Sequence, residues 1–233
     1  MLAYLTLAIG EVLPATPRAR IVRLELGGAT FDYTAGQAVL VGAPGGPKRP
    51  YSMAASPEET RREGYLELLV GVDANGTPGP HLPLERGRVV DVNGPLGRFT
   101  FPSAPAERRF VFIAGGTGIA PLRAMLHHAL AIPKVEIGLL YSARTPDEFA
   151  YESELRALAH DGRIELRQTV TRTVGDGWSG PRGRIGRAEL QPLVHNPATL
   201  CFICGPPALV AEMSGLLAEL GIDRTRIRVE EWG

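Results

Sequence analysis

The chain has 233 residues, with 25 basic and 25 acidic side chains, and apolar residues make up 44% of it. This composition excludes a disordered or fibrous chain, and the balanced charge gives no support to a nucleic-acid-binding protein. No apolar run approaches the ~18 residues of a membrane span, and the apolar start through Ile9 lacks the features of a signal peptide. We therefore expect a cytoplasmic protein.

The first hundred residues predict an antiparallel β-sandwich or β-barrel. The runs with strand character are Leu5–Leu13, Ala19–Leu26, Gln37–Ala43, Tyr65–Val72 and Arg88–Val92. Short strands separated by turn pairs such as Gly27-Gly28 and Asn75-Gly76 are typical of all-β folds. The proline- and charge-bearing segment from Pro102 through Glu107–Arg109 is predicted to be a linker.

After this linker, predicted strands alternate with predicted helices. The strands are Phe110–Ala114, Val135–Tyr141, Ile164–Val170, Thr199–Cys204 and Ile227–Glu231. The helices are Pro121–Ala131, Asp147–His160 and Ala208–Leu220, and a glycine-rich loop is predicted over Gly175–Gly186. Such alternation predicts a doubly wound parallel sheet. We thus expect a β domain over residues 1–101 and an α/β domain over residues 107–233.

A glycine-rich turn joins the first strand of the second half to its first helix. Its sequence is Gly115-Gly116-Thr117-Gly118, and Pro121 follows within the first helical turn, where its missing N–H is not needed. Backbone N–H groups and a helix N-terminus at such a turn can bind a phosphate. The alternative is a glycine turn made only for tight packing; the strand–turn–helix context favours a nucleotide site.

The ends of the next two predicted strands bear on the choice of nucleotide. The second strand ends Tyr141-Ser142-Ala143-Arg144, without an acid before Asp147, and the third ends Thr171-Arg172. A carboxylate there binds a ribose 2′-hydroxyl, whereas arginine can bind a 2′-phosphate with two hydrogen bonds. This pattern favours NADPH over NADH, with ordinary surface arginines as the alternative interpretation.

The cysteines and histidines do not predict a metal site. Cys201 and Cys204 lie in a short apolar run, and positions three apart on a strand face opposite sides. A zinc or iron–sulfur site needs about four ligands, so we expect neither a metal nor a disulfide there. The histidines lack ligand spacing, and we expect structural or surface roles for His81, His127, His128, His160 and His195.

Several motifs occur in the order that a known family has them. They are Gly36-Gln37, Arg49-Pro50-Tyr51-Ser52, Gly94–Phe99, Gly115–Pro121, Cys204-Gly205-Pro206-Pro207 and Glu230-Glu231-Trp232. Together they are similar to the PGQ, RxYS, GPxGxF, GGTGxxP, CGPP and terminal acid-x-aromatic motifs of the ferredoxin–NADP reductase family, with Ala35 in place of the proline of PGQ. The chain resembles this family of two-domain flavoproteins along nearly its whole length. The resemblance implies a flavin-binding antiparallel β-barrel followed by a nucleotide-binding α/β domain.

The resemblance also implies roles for residues of the first half. Arg49 is expected on the flavin pyrophosphate, Tyr51 on the isoalloxazine ring, and Ser52 near its N5 atom. The further flavin contacts are Pro50, Leu69, Val70, Gly76, Gly79, His81 and Leu82. Residues 76–82 resemble the family's GxxSxxL phosphate segment, but Gly79 stands where the family has serine. FAD is the expected cofactor.

For the second half, the resemblance implies a nicotinamide-nucleotide site. Its expected residues are Gly115, Gly116, Thr117, Gly118, Pro121, Tyr141, Ser142, Arg144, Thr171, Arg172, Cys204, Gly205, Pro206 and Trp232. The catalytic set is Ser52, Cys204, Glu230 and Trp232, with Trp232 covering the flavin face that the nicotinamide must reach. For Glu230 two interpretations stay open, a group that stabilises charge on reduced flavin and a surface carboxylate.

The implied activity is an FAD-dependent NAD(P)H oxidoreductase. Because the sequence carries neither an iron–sulfur cysteine cluster nor a haem domain, the acceptor is expected to be separate: a ferredoxin- or flavodoxin-like protein, or a small molecule. One alternative is an NAD(P)H:flavin reductase that releases flavin as a product. Another is a flavin-bearing electron-transfer subunit of a larger complex.

Overall fold

The computed structural model describes residues 3–172 and 178–232 of the chain. Its contacts divide the chain into two compact units. The first contains the residues up to Phe101 together with Arg123–His128, and the second contains Pro102–Leu122 and the residues from Ala129 on. No helix among the described residues is both long and apolar enough to span a membrane.

The first unit is built on a six-stranded antiparallel sheet. Its strands are β1 (Ala3–Thr16), β2 (Ala19–Glu25), β3 (Ala38–Gly42), β4 (Arg49–Ser52), β5 (Tyr65–Gly71) and β6 (Val89–Leu96). They lie in the order β4-β3-β6-β1-β2-β5, and a bridge between Met53 and Leu68 brings the two ends of this order together. The predicted antiparallel barrel is confirmed.

Alternation along these strands fills the barrel with apolar side chains. On β2 and β5, for example, Val22, Leu24, Leu66 and Leu68 are fully buried, as side chains at every second position of a strand must be when one face meets the core. The long strand β1 pairs with both β2 and β6, with register shifts around Gly10 and Ala15. Such shifts bend a strand and allow it to follow a curved sheet.

One helix of the first unit is absent from the sequence prediction. Helix α1 (Pro57–Glu63) begins with a capping box, in which Ser56 Oγ accepts from the Glu59 amide at 3.1 Å and Glu59 Oε2 accepts from the Ser56 amide at 2.7 Å. Gly64, with φ of 76°, ends the helix in the left-handed region. The Ser-Pro-x-Glu signal for this helix is readable in the sequence.

The second unit is built on a five-stranded parallel sheet, which confirms the predicted doubly wound fold. Its strands are β7 (Arg109–Gly115), β8 (Glu136–Ala143), β9 (Glu165–Val170), β10 (Leu200–Gly205) and β11 (Ile227–Glu231), in the order β11-β10-β7-β8-β9. The helices that alternate with them are α2 (Ile119–Leu130), α3 (Glu152–His160), α4 (Arg187–Leu190) and α5 (Pro207–Glu219).

Arg109 belongs to a strand, so its assignment to a linker is wrong. It begins β7 and is only 7% exposed. Its Nη1 donates to Glu136 at 2.8 Å and its Nε donates to the Leu193 carbonyl at 2.9 Å. A charged residue beside a proline-rich segment has linker character in sequence, but partners from neighbouring elements satisfy this guanidinium and allow its burial.

The helix predicted over Asp147–His160 is wrong in its first five residues. Residues Pro146–Glu148 form a 3₁₀ turn, Phe149 is extended and buried, and α3 begins only at Glu152. The Phe149 ring packs edge-on against Tyr141, with centroids 5.0 Å apart, and this contact keeps the segment out of the helix. Of the loop predicted over Gly175–Gly186, residues 175–177 lie outside the described part.

Candidate functional site

The Arg-Pro-Tyr-Ser motif forms strand β4, which is the first strand in the order of the barrel sheet. Arg49 is exposed, Tyr51 is half-buried and Ser52 is buried. Alternation along the strand sends Arg49 and Tyr51 to one face and Ser52 to the other. The guanidinium of Arg49 has no ion-pair partner within residues 3–172 and 178–232, and the buried Oγ of Ser52 has no hydrogen-bond partner among them.

Tyr51 is held by a histidine from a distant part of the chain. Its hydroxyl lies 2.6 Å from His81 Nε2, and the two rings are stacked, with centroids 6.0 Å apart and planes 11° from parallel. His81 is 3% exposed. Burial and then the charge of Arg49 lower the pKa of His81, whereas burial raises the pKa of Tyr51. A buried histidine that is bonded to Tyr51 fits the structural role expected for it, but the sequence carries no signal for this partner.

The segment from Gly76 to Leu82 contains two glycines in the left-handed region, one beside Arg20 and one beside the ring of His81. Gly76 and Gly79 have φ of 77° and 105°, conformations that side chains rarely adopt. A β-carbon on Gly76 would lie 3.4 Å from Arg20 Nη2, and one on Gly79 would lie 3.3 Å from His81 Nδ1. Gly79 in place of serine thus has a local cause, because backbone strain and the imidazole both oppose a side chain there.

The other expected flavin contacts of the first unit lie around the motif. Pro50 is an exposed residue of β4, and Leu69 and Val70 are buried on β5. Val70 packs into the barrel core, so its side chain is not available to a ligand. Leu82 also belongs to this core. The arrangement at this end of the barrel is therefore a polar strand edge backed by apolar side chains.

In the second unit, the glycine turn combines tight packing with an open backbone. A β-carbon on Gly118 would lie 2.6 Å from the Cys204 carbonyl carbon, and one on Gly115 would lie 2.6 Å from Leu209. Gly116, by contrast, has φ of 55° and nothing within 4 Å of its β-carbon position. Gly116 and Thr117 are exposed in a 3₁₀ turn, Gly116–Gly118, that directly precedes α2. Packing accounts for Gly115 and Gly118, and the open face at Gly116 remains available to a ligand.

The side chain of Tyr141 hydrogen-bonds the backbone of this turn from the protein interior. It is fully buried, and its hydroxyl donates to the Gly116 carbonyl at 3.1 Å and accepts from the Ala150 amide at 3.2 Å. Burial raises the pKa of Tyr141 well above its ordinary value, so the hydroxyl keeps its proton. The side chain therefore acts on a ligand only through the backbone of the glycine turn.

The strand ends of β8 and β9 bring two arginines together. The Arg172 amide donates to the Arg144 carbonyl at 2.9 Å, and the Thr171 amide donates to the Ala143 carbonyl at 2.9 Å. Arg144, Thr171 and Arg172 are exposed, and Ser142 is buried. This edge lies at the carboxyl end of the parallel strands, where open α/β sheets bind their ligands.

A second group lies at the carboxyl ends of β10 and β11. Cys204 pairs in register with Glu230, the Trp232 amide donates to the Gly205 carbonyl at 3.1 Å, and the Trp232 indole donates to Glu230 Oε2 at 2.9 Å. Burial and then the charge of Glu230 raise the pKa of Cys204. The Cys204 thiol therefore stays neutral, and Glu230 holds the half-buried indole in place. Pro206 follows, exposed, before α5.

The two cysteines are free, buried thiols. Cys201 lies in the core of the second unit, and burial raises its pKa to about 12. Within the described ranges, no group of three or more His, Cys, Asp or Glu side chains could hold a metal ion.

Comparison with known proteins identifies the class to which this fold and these sites belong. The family model described as oxidoreductase FAD-binding domain matches residues 11–101, and that described as oxidoreductase NAD-binding domain matches residues 112–214. Two such domains define an oxidoreductase that binds FAD and a nicotinamide dinucleotide.

Full-length relatives define the family. A ferredoxin–NADP reductase B of Sorangium cellulosum is 35% identical over 236 residues, which cover 95% of this chain and 94% of the relative. An NADH-cytochrome b5 reductase 1 of Debaryomyces hansenii is 30% identical and covers 82% of this chain and 69% of itself. The chain belongs to the ferredoxin reductase-like family. A solved Amycolatopsis cytochrome P450 reductase, 27% identical, matches 99% of this chain and 70% of its own with a TM-score of 0.84.

The residues present suit the flavin that the family implies. Ser52 Oγ and His81 Nδ1 are buried polar atoms without a hydrogen-bond partner among the described residues. Buried polar atoms are rarely left so, and a bound ligand is one way in which such atoms are satisfied. A ligand with polar ring atoms and phosphates fits these atoms together with the unpaired guanidinium of Arg49.

Proposed function

We propose that this protein oxidises NADPH and passes the electrons, through a retained FAD, to a separate carrier protein of the ferredoxin or flavodoxin type. The observation that carries the proposal is the unpartnered, buried Oγ of Ser52 beside Tyr51 on β4. FAD supplies the step from two-electron to one-electron chemistry when it is bound. The division into a flavin domain of residues 1–101 and a nucleotide domain of residues 107–233 is part of this proposal.

On the flavin side, three neighbouring residues have different tasks. Arg49 neutralises phosphate charge with charge-assisted hydrogen bonds. Tyr51, fixed by His81, offers a ring face for stacking. The Ser52 hydroxyl is both a donor and an acceptor, so it can hydrogen-bond a flavin nitrogen in either redox state.

On the nicotinamide side, the chain's residues bind and shield. The open backbone at Gly116 and the start of α2 bind the pyrophosphate, as helix N-termini do. The Trp232 indole, held by Glu230, covers the nicotinamide position and is displaced when the nucleotide enters. Cys204 stays a neutral thiol and forms an uncharged wall, which suits hydride transfer in a site that excludes water.

Arg144 and Arg172 favour NADPH over NADH in this proposal. They lie at neighbouring strand ends, and neither is ion-paired to a residue of the described ranges. We expect wild-type kcat/KM to be higher for NADPH, and Arg172→Ala to reduce that preference. Arg156→Ala, on the exposed side of α3, is the control. A wild-type preference for NADH contradicts this part of the proposal; an unchanged ratio in Arg172→Ala leaves Arg144 as its carrier.

A second candidate is an NAD(P)H:flavin reductase, in which flavin is released after reduction. The observation that favours it is Gly79, which offers no hydroxyl to the flavin phosphate. It differs from the first candidate in how tightly flavin is held.

One purification separates the two candidates. We expect the protein to be yellow and to release FAD only on denaturation. NADPH oxidation is then followed with ferredoxin, flavodoxin, cytochrome b5 or free FMN as acceptor. Carrier-dependent turnover without added flavin supports electron transfer through retained FAD. A colourless protein that oxidises NADPH only when flavin is added supports the flavin reductase instead.

A further inference from the structure

His81 has one ring nitrogen committed and one open. Nε2 lies 2.6 Å from the Tyr51 hydroxyl, whereas Nδ1 is buried without a partner among the described residues. His81 is 3% exposed, so bulk water does not hydrogen-bond Nδ1. Leaving a polar atom in this state is unfavourable, and a ligand that accepts a hydrogen bond from it removes this cost.

The surroundings determine the protonation state of this ring. The groups that face it are Tyr51 and Arg49, and burial and the charge of Arg49 both lower the pKa of His81. The imidazole is therefore neutral near pH 7 and carries one proton. The Tyr51 hydroxyl also keeps its proton, because burial raises its pKa. When Tyr51 donates to Nε2, the imidazole proton is on Nδ1, which becomes a hydrogen-bond donor.

The direction of Nδ1 indicates what it meets. Nδ1 faces Gly79, since a β-carbon there would lie 3.3 Å away. The same segment begins at Gly76 beside Arg20 Nη2, and neither Arg20 nor Arg49 is ion-paired to a carboxylate in the described ranges. Arg20 Nη1 donates to the Thr16 and Ala19 carbonyls at 2.9 Å, which leaves its Nη2 toward the turn. The guanidinium groups of Arg20 and Arg49 and the Nδ1–H donor together form an environment for a phosphate.

We propose that the His81 side chain is a ligand of the flavin, with Nδ1–H donated to a phosphate oxygen. In this arrangement the imidazole supplies the hydrogen bond that the glycine at position 79 lacks. Gly79 and His81 then depend on each other, because the ring occupies the space that a side chain at 79 would need. The inference rests on the proposal that β4 holds the flavin.

Two amide variants separate the two nitrogens of the ring. In His81→Asn the amide nitrogen replaces Nδ1, and in His81→Gln it replaces Nε2. FAD, FMN and riboflavin are titrated into the apoproteins, and quenching of flavin fluorescence is measured. We expect His81→Gln to bind FAD and FMN about tenfold or more weakly, with little change for riboflavin, which has no phosphate. We expect His81→Asn to stay within about threefold of the wild type for all three flavins.

Other outcomes overturn the inference. If His81→Gln keeps its affinity and His81→Asn loses it, His81 acts only by holding Tyr51. Equal weakening for riboflavin excludes a phosphate contact, and unchanged affinity in both variants excludes any contact. Arg49→Ala and Tyr51→Ala test the underlying site: if both retain wild-type flavin affinity, the proposed flavin site itself is misplaced.

Two further measurements keep the test valid if a variant misfolds: thermal melting of the apoproteins and an experiment on the wild type alone. Because Nδ1 has no partner within the described chain, we expect the His81→Gln apoprotein to melt no more than a few degrees below the wild type. With ¹⁵N-labelled histidine, FMN is expected to slow exchange of the His81 Nδ1 proton, and riboflavin is not. An identical response to both ligands overturns the proposal even if no variant folds.

Discussion

The two candidate sites of this chain differ in how their polar groups are satisfied. At β4, Ser52 Oγ and His81 Nδ1 are buried without partners among the described residues. At the strand ends of the second unit, the Tyr141 hydroxyl bonds both Gly116 and Ala150, and the Trp232 indole bonds Glu230. The buried polar atoms of the first site thus lack partners among the described residues, whereas the buried hydroxyl and the indole of the second site have them. At the second site the exposed groups, Arg144, Arg172 and the backbone at Gly116, are the ones left for a ligand.

This difference is the one that the proposed function requires between a retained cofactor and an exchanged substrate. An unpartnered buried polar atom costs roughly 1–3 kcal/mol, and a ligand that bonds it recovers this free energy on binding. A site whose buried polar groups already have protein partners gains less binding free energy from its ligand, and it releases the ligand more readily. In the proposed function flavin stays through many turnovers and suits the first site, whereas the nicotinamide nucleotide leaves after each turnover and suits the second.

The largest expected effect breaks the flavin site. Arg49→Ala removes charge-assisted contacts to phosphate worth ~1.5–3 kcal/mol, so flavin affinity is expected to fall about 10- to 100-fold. Flavin content after purification and a fluorescence titration measure the loss. Arg62→Ala, an exposed arginine of α1, is the control. Wild-type affinity in Arg49→Ala contradicts the assignment of Arg49.

Tyr141→Phe tests whether the Tyr141 hydroxyl stabilises the second site. It leaves the Gly116 carbonyl and the Ala150 amide without their buried partner, so the free energy of unfolding is expected to fall by ~1–3 kcal/mol. NADP⁺ affinity is expected to fall and flavin content to stay unchanged. Tyr4→Phe, at a hydroxyl on a 73% exposed side chain, is the control for chemical denaturation. Unaltered stability contradicts the supporting role.

Trp232→Ala sharpens the comparison by opening the second site. In the proposed function the indole occupies the place of the nicotinamide. Its removal is therefore expected to lower the Kd for NADP⁺ and to enlarge the spectral change of the flavin on binding. Glu230→Gln keeps an acceptor for the indole N–H and is expected to change little. If Trp232 is instead a packing residue, its loss costs ~3–5 kcal/mol without a gain in affinity, which thermal melting detects.

The smallest expected effect concerns acid stability of the apoprotein. Burial and the charge of Arg49 hold the pKa of His81 below its ordinary value of 6.5, so the unfolded chain takes up this proton first as the pH falls. The free energy of unfolding is therefore expected to decrease as the pH falls through 6.5, until the folded-state pKa is passed. Urea titrations at pH 8 and pH 5 measure this loss. Equal pH dependence in His81→Gln and the wild type contradicts it.

Much of this fold follows from local pattern. Alternation predicts the barrel strands, and the switch to alternating strands and helices after residue 106 predicts the parallel sheet. The glycine turn at 115–118 is readable because strand, glycines and helix are neighbours in sequence. Local pattern fails where a residue distant in sequence determines the conformation. An ion pair and a carbonyl satisfy the guanidinium of Arg109 and allow its burial. Contact with the Tyr141 ring holds Phe149 out of the predicted helix.

The sequence by itself determined the order of the elements, the two nucleotide-binding signals and the identity of the motif residues, because each depends on neighbours along the chain. Only the tertiary structure decided which polar atoms have partners. The contact of Tyr51 with His81 joins residues 30 positions apart, and the Tyr141 bond to Gly116 joins residues 25 apart. No spacing rule encodes such pairs, because chain folding rather than local conformation brings them together.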